Sequence, residues 1–112
     1  MTVKLIDIIG SPSAVSPRAG IAAYEFVTTL LAKGDSIEVS LAGIKDFTTT
    51  FCNSFIGKMY MNQDPSLLKD RFRIVDVPQD VWRRKIDTAI HLGTNEGARK
   101  QLRENLDKAI LN

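Results

Sequence analysis

Three consecutive hydroxyls, Thr48, Thr49 and Thr50, stand where an alternating apolar segment gives way to one with helical spacing. Threonine at such a junction serves one of two ends. Its hydroxyl caps the free backbone amides of the first turn, or it carries a phosphate whose charge those amides and the helix dipole favour. Spacing alone favours the cap. The other residue types able to do chemistry are scarce. His91 is the one histidine and falls near the C-terminal end of a helical segment, where imidazole commonly serves the helix dipole or faces solvent. Cys52, the one cysteine, sits between Phe51 and Phe55 with no neighbour in sequence to activate it, and reads as a small buried hydrophobe. The seven glycines form neither a phosphate loop with Lys and Ser/Thr nor a dinucleotide fingerprint. Self-contained nucleotide hydrolysis is therefore not expected.

Charge gives no stronger pointer. Arg83, Arg84 and Lys85 are flanked by Asp80 and Asp87, and Glu96, Glu104 and Asp107 interleave with Arg99, Lys100 and Arg103. Mixed signs along helical segments describe a solvated face, so nucleic acid is not an expected partner, and Trp82 reads as core. The whole chain has 15 Lys and Arg against 13 Asp and Glu, a net charge of +2 that does not call for a polyanionic partner. One Cys and one His exclude a disulfide and a Cys/His zinc site, and no metal or cofactor is expected. The opening MTVKLIDIIG lacks the features of a secretory signal, and no apolar run approaches the roughly 18 residues of a membrane span. A cytoplasmic location is expected.

The elements that must position these residues fit in 112 residues as one domain. Val3 to Ile9 reads as a buried strand ended by Gly10, Ser11 and Pro12, with Ala14 and Val15 as a short return strand. Ser16 before Pro17 opens a helix, with Ala19, Ala22, Ala23, Phe26, Val27, Leu30 and Leu31 along one face and Gly34 as its stop. Ser36 to Ile44 alternates as a second strand, with Ile37, Val39 and Leu41 on one side. Phe51, Phe55 and Met59 then mark a helix beginning at the threonines. Asp64 and Pro65 open a further turn carrying Leu67 and Leu68, and Phe72 to Val77 reads as a third strand closed by Pro78. Two final helices are expected. Val81, Trp82, Lys85, Ile86, Ala89 and Ile90 lie on one face of the first, which ends at Gly93, and Ala98, Leu102, Leu106, Ala109 and Ile110 lie on the second, which starts at Thr94 and Asn95. The pattern predicts an α/β domain: a mostly parallel or mixed central sheet of about four strands, with helices packed on it.

The segment Val39-Ser40-Leu41-Ala42-Gly43-Ile44-Lys45-Asp46-Phe47-Thr48-Thr49-Thr50-Phe51 resembles the centre of STAS domains, the sulfate-transporter and anti-sigma-factor-antagonist family. There a strand and a short turn lead into an Asp-Ser-Ser-Gly-like signature at a helix start. Its continuation to Tyr60, with Ser54-Phe55, Gly57 and Met59-Tyr60, is similar to a STAS-like family often encoded with, or fused to, histidine-kinase-like ATPase modules, as is the Ser16-Pro17-Arg18-Ala19-Gly20 helix start. The match runs from Val3 to Ile90, leaving Thr94 to Asn112 as an extra helix. Aligned on the strand, the family's signature Asp falls on Thr48, its phosphorylatable Ser on Thr49, and Thr50 is next. Ser40 stands in place of the strand's common aspartate and Phe51 in place of the signature glycine.

The resemblance implies a non-enzymatic regulator of bacterial signalling that docks on a histidine-kinase-like ATPase of the GHKL type and is switched by phosphorylation. It makes Thr49, then Thr50, the candidate acceptor, with Asp46, Phe47, Thr48, Asn53 and Lys58 as the candidate partner surface. Two alternatives stay open. One is a small-molecule or nucleotide-binding module using the helix start at Thr48 to Thr50 as a permanent anion site. The other is a dimerisation domain that offers Leu102, Leu106 and Ile110 to a second copy.

Overall fold

The computed structural model describes residues 1–111, and side chains as far as Leu106. Ala109 and Ile110, expected on an apolar face, lie outside the described side chains. Strands β1 (Thr2–Lys4), β3 (Ile37–Ser40) and β5 (Phe72–Val75) form a parallel sheet with β3 in the middle. Val3 pairs with Val39 and Val39 with Ile74, while Ile37 pairs with Phe72. These residues share one face, and the opposite face presents Thr2, Lys4, Glu38 and Arg73. The alternation legible in the second strand thus has a tertiary meaning, because one side of the sheet packs on the core and the other is polar. A separate two-stranded parallel ribbon joins β2 (Ser13–Ala14) to β4 (Asp46–Phe47). The architecture is α/β as expected, with the strands divided three and two between a sheet and a ribbon.

The helices form for local reasons. In α2 (Pro17–Ala32) the Ser16 hydroxyl accepts from the Ala19 amide at 3.1 Å and Pro17 occupies the first turn, where its missing N–H costs nothing. Ala23, Val27 and Leu31 make the buried stripe. Next come α3 (Thr49–Cys52), a π-helical turn (Asn53–Gly57) and α4 (Lys58–Asn62), which run on without a break. Helix α5 (Pro65–Arg71) begins at Asp64, whose carboxylate accepts from the Ser66 amide at 2.9 Å. An aromatic ladder ties the layers together: Trp82 stacks on Phe47 at 5.0 Å between centroids, and Phe47, Phe51, Phe55 and Phe72 follow at 5.8 to 5.9 Å.

Several boundaries differ from the sequence expectation. The run Val3 to Ile9 is a strand only at Thr2–Lys4, and Leu5–Ile9 is helix α1, closed by Gly10 at φ 69°. Leu5, Ile8 and Ile9 stand at helical spacing, so an apolar run this short satisfies either period and packing chooses. The expected return strand lies one residue earlier, at Ser13–Ala14, and runs parallel to its partner. The strands expected over Ser36 to Ile44 and Phe72 to Val77 shorten to four residues each.

The largest difference is at the C-terminus, where one continuous helix, α6 (Asp80–Leu111), replaces the expected two. Gly93 does not end a helix. A Cβ there would overlap the Gly57 carbonyl oxygen and stand 3.1 Å from the Gly57 Cα, while one on Gly97 would lie 2.8 Å from the Met61 carbonyl oxygen. The two glycines, one turn apart, let α6 lie directly on the backbone of the π-turn and α4. Their absent side chains are a packing requirement, which the sequence pattern presents as a break.

Candidate functional site

The three threonines are separated by role. Thr48 is the cap: its hydroxyl accepts from the Phe51 amide at 3.1 Å and donates to the Val15 carbonyl at 3.1 Å. Its own amide donates to the Ala14 carbonyl, at the end of the ribbon, at 3.1 Å. The β2–β4 ribbon thus fixes where the helical run begins. Thr49 and Thr50 follow in the first turn with exposed side chains. The Cys52 amide donates to the Thr48 carbonyl and the Phe51 amide is held by the cap, so the amides of Thr49 and Thr50 have no helical acceptor before them. Two exposed hydroxyls therefore stand at the positive end of a helical run.

The other candidate surface residues fall into two groups. Asp46 is exposed, and its carboxylate accepts from the Ser13 hydroxyl at 2.9 Å across the ribbon. Asn53 is exposed and Lys58 is half-buried with its ammonium 4.9 Å from the centre of the Tyr24 ring. Asn53, Ser54 and Lys58 line an apolar notch of about 430 Å³, whose walls include Ile21 and Leu92. Phe47 belongs to neither group. It is buried between Trp82 and Phe51, so it supports the site from within and presents no side chain to a partner. Its position in a two-residue strand turns alternate side chains to opposite sides, Asp46 outward and Phe47 inward.

Ile21 and Leu92 come from α2 and α6, far in sequence from the threonines. Their signal is exposure of a large aliphatic at 38% and 49%, which a sequence does not display. The Phe47 carbonyl accepts from the Lys85 ammonium at 2.8 Å. Lys85, read in sequence as part of a basic cluster, is thereby tied to the site's inner wall. Ser40, at the position of the family's strand aspartate, is buried, and its hydroxyl donates to the Asp76 carboxylate at 2.5 Å and accepts from the Ala42 amide at 3.2 Å. Asp76 has φ 56°, in the left-handed region where Asp is tolerated through local hydrogen bonding.

The residues with intrinsic reactivity stand apart from the threonines' exposed face. Burial pushes the Cys52 thiol up to about 12, against the smaller pull of Lys85, and the thiol is therefore protonated at neutral pH. His91 is exposed, with Nε2 at 3.2 Å from the Asn95 amide nitrogen on the next turn. Among the described residues, no three His, Cys, Asp or Glu side chains converge as metal ligands, and no helix is long and apolar enough to cross a membrane.

No curated protein and no solved structure matches the chain. The family model of a STAS-like domain of unknown function (DUF4325) matches residues 23–82, from within α2 to the start of α6. That span holds β3, the capped threonine junction, the helical run and β5, and by this match the chain belongs to the STAS-like family.

Proposed function

We propose that the protein is a non-enzymatic regulatory module of the anti-sigma-factor-antagonist type, acting in the cytoplasm. It docks on a histidine-kinase-like ATPase through the surface around the threonines and is switched by phosphorylation of Thr49, with Thr50 as second acceptor. The observation that carries this reading is the division of labour at the helix start: Thr48 is spent on the cap, while Thr49 and Thr50 keep exposed hydroxyls beside amides without helical acceptors. A phosphate there would bring about 1.5 to 2 negative charges against the helix N-terminus. Asp46, Asn53 and Lys58 form the polar rim of the docking surface, and the notch beside Asn53 and Lys58 supplies its apolar component. Docking energy at such surfaces comes mainly from an apolar anchor, so a new dianion at the rim acts on specificity and association.

The test is intact-mass analysis after incubation with Mg-ATP and a histidine-kinase-like ATPase of the GHKL type. One phosphate is expected on the wild type, with little on the Thr49→Ala variant and none on the Thr49→Ala, Thr50→Ala double variant. An unmodified mass with that kinase active on itself, or a phosphate that survives the double substitution, rejects the reading.

A further inference from the structure

The apolar positions of α6 change side along its length. At 3.6 residues per turn, Trp82, Ile86, Ala89, Gly93 and Gly97 share the face turned to the body, and each is at least partly buried. Val81, Leu92, Leu102 and Leu106 lie about 140° away around the helix by the same periodicity. They are exposed by 47%, 49%, 61% and 55%. From Ala98 to Leu106 every side chain is exposed; Ala98, Lys100, Gln101 and Glu104 border a cleft against Tyr60 to Pro65, and the outer side of this part of α6 has no cover among the described residues. An isolated stretch of this length is a marginal helix in water, and packing against a partner would stabilise it.

The charges on the outer stripe say what kind of partner fits. Arg84 and Arg99 fall within the same arc as the four aliphatics, Arg103 borders it, and all three are exposed. No carboxylate falls inside the arc. Glu96 lies at its margin and pairs with Arg99 at 3.0 Å as an exposed i,i+3 contact, which is weak and readily exchanged. A second copy of this stripe would bring arginine against arginine within the seam, with acids only at its margins at Asp80 and Glu96, which disfavours self-pairing. A lipid surface is a poorer match as well. The four aliphatics are spread over about 37 Å with Thr88 and Asn95 among them and no aromatic, a seam too narrow for insertion into a bilayer interface.

We propose that the outward stripe of α6 docks an amphipathic helix with an apolar seam and acidic flanks, supplied by a protein other than a second copy of this chain. Leu102 and Leu106 form one end of the seam and Val81 the other, with Leu92 between them. Arg84, Arg99 and Arg103 set the partner's charge and speed its approach. The stripe meets the notch beside Asn53 and Lys58 at Leu92, which walls both, while Val81, Leu102 and Leu106 lie outside that notch, and the proposal does not rest on phosphorylation.

The experiment uses the full chain and two labelled peptides of about 25 residues, the length that spans the stripe at 1.5 Å per residue. Each peptide carries leucines along one helical face, one flanked by glutamates and the other by lysines, and binding is read by fluorescence anisotropy. The glutamate peptide is expected to bind at least about tenfold more tightly, with affinity falling as salt rises. Arg84→Glu with Arg99→Glu should invert the preference. Leu102→Glu with Leu106→Glu should abolish binding of both peptides while the circular dichroism melt of the body is retained, since both side chains are exposed. Equal binding of the two peptides, or binding of neither, overturns the proposal. So does a dimer in sedimentation that the double leucine variant dissolves, or co-sedimentation with phosphatidylcholine and phosphatidylserine vesicles in preference to the glutamate peptide.

Discussion

Replacing Gly93 by alanine sets two physical effects of opposite sign against each other. In an exposed helix interior the change would stabilise by about 1 kcal/mol, because glycine pays more backbone entropy than alanine. In α6 the new methyl would overlap the Gly57 carbonyl oxygen and lie 3.1 Å from the Gly57 Cα. Carbon atoms prefer about 3.5 to 4.0 Å, so α6 must withdraw by roughly half an ångström or more, and backbone cannot rotate away as a side chain can. Overpacking of a rigid contact costs about 1 to 3 kcal/mol and sometimes more. The oxygen overlap puts this site at the upper end, and the propensity gain offsets part of it. A net loss of about 1 to 2 kcal/mol is expected, which lowers the midpoint of a domain of this size by roughly 4 to 9 °C. Urea and thermal unfolding followed by circular dichroism measure it, with Thr88→Ala on the exposed side of α6 as the near-neutral reference. A Gly93→Ala protein more stable than wild type would refute the close approach of α6 to the π-turn, and with it the single continuous helix.

Other outcomes follow from the same geometry. Thr48→Ala should destabilise by about 1 kcal/mol through loss of the cap, whereas Thr49→Ala should leave urea unfolding almost unchanged; equal effects would contradict the division of roles among the threonines. For Cys52 the folded thiol titrates at about 12 against 9.0 in the unfolded chain. The unfolded state therefore loses its proton first, and this group's contribution to stability, intact below pH 9, is lost as pH rises toward 12. Wild type should thus lose stability between pH 8.5 and 10.5 more steeply than Cys52→Ala, and its native thiol should react with a disulfide reagent only on unfolding; prompt modification of the folded protein would argue against burial.

Where sequence and structure agree, the information was local. Ser16 and Thr48 cap because a hydroxyl needs only the amide three residues on, and both signals are complete within one turn. Ile37, Val39 and Leu41 are buried as their alternation implied. Where they disagree, a second segment decided. Phe47 belongs to a stretch that looks like an exposed turn, and it is Trp82, 35 positions later, that covers it. The run from Leu5 to Ile9 satisfies both a strand and a helical period, and it coils where its pairing with β3 ends at Lys4.

Composition, caps and periodicity are enough to specify a parallel α/β domain with a threonine cap at its third main helix, because each is a property of a few neighbouring residues. The length of α6 is of another kind. A glycine at position 93 is written identically whether it ends a helix or seats one, and only the Gly57 backbone lying against it distinguishes the two. The same holds for the threonines' surroundings. That Thr49 and Thr50 stand exposed near a notch walled by Ile21 and Leu92 depends on bringing α2 and α6 to the π-turn, which long-range packing alone accomplishes.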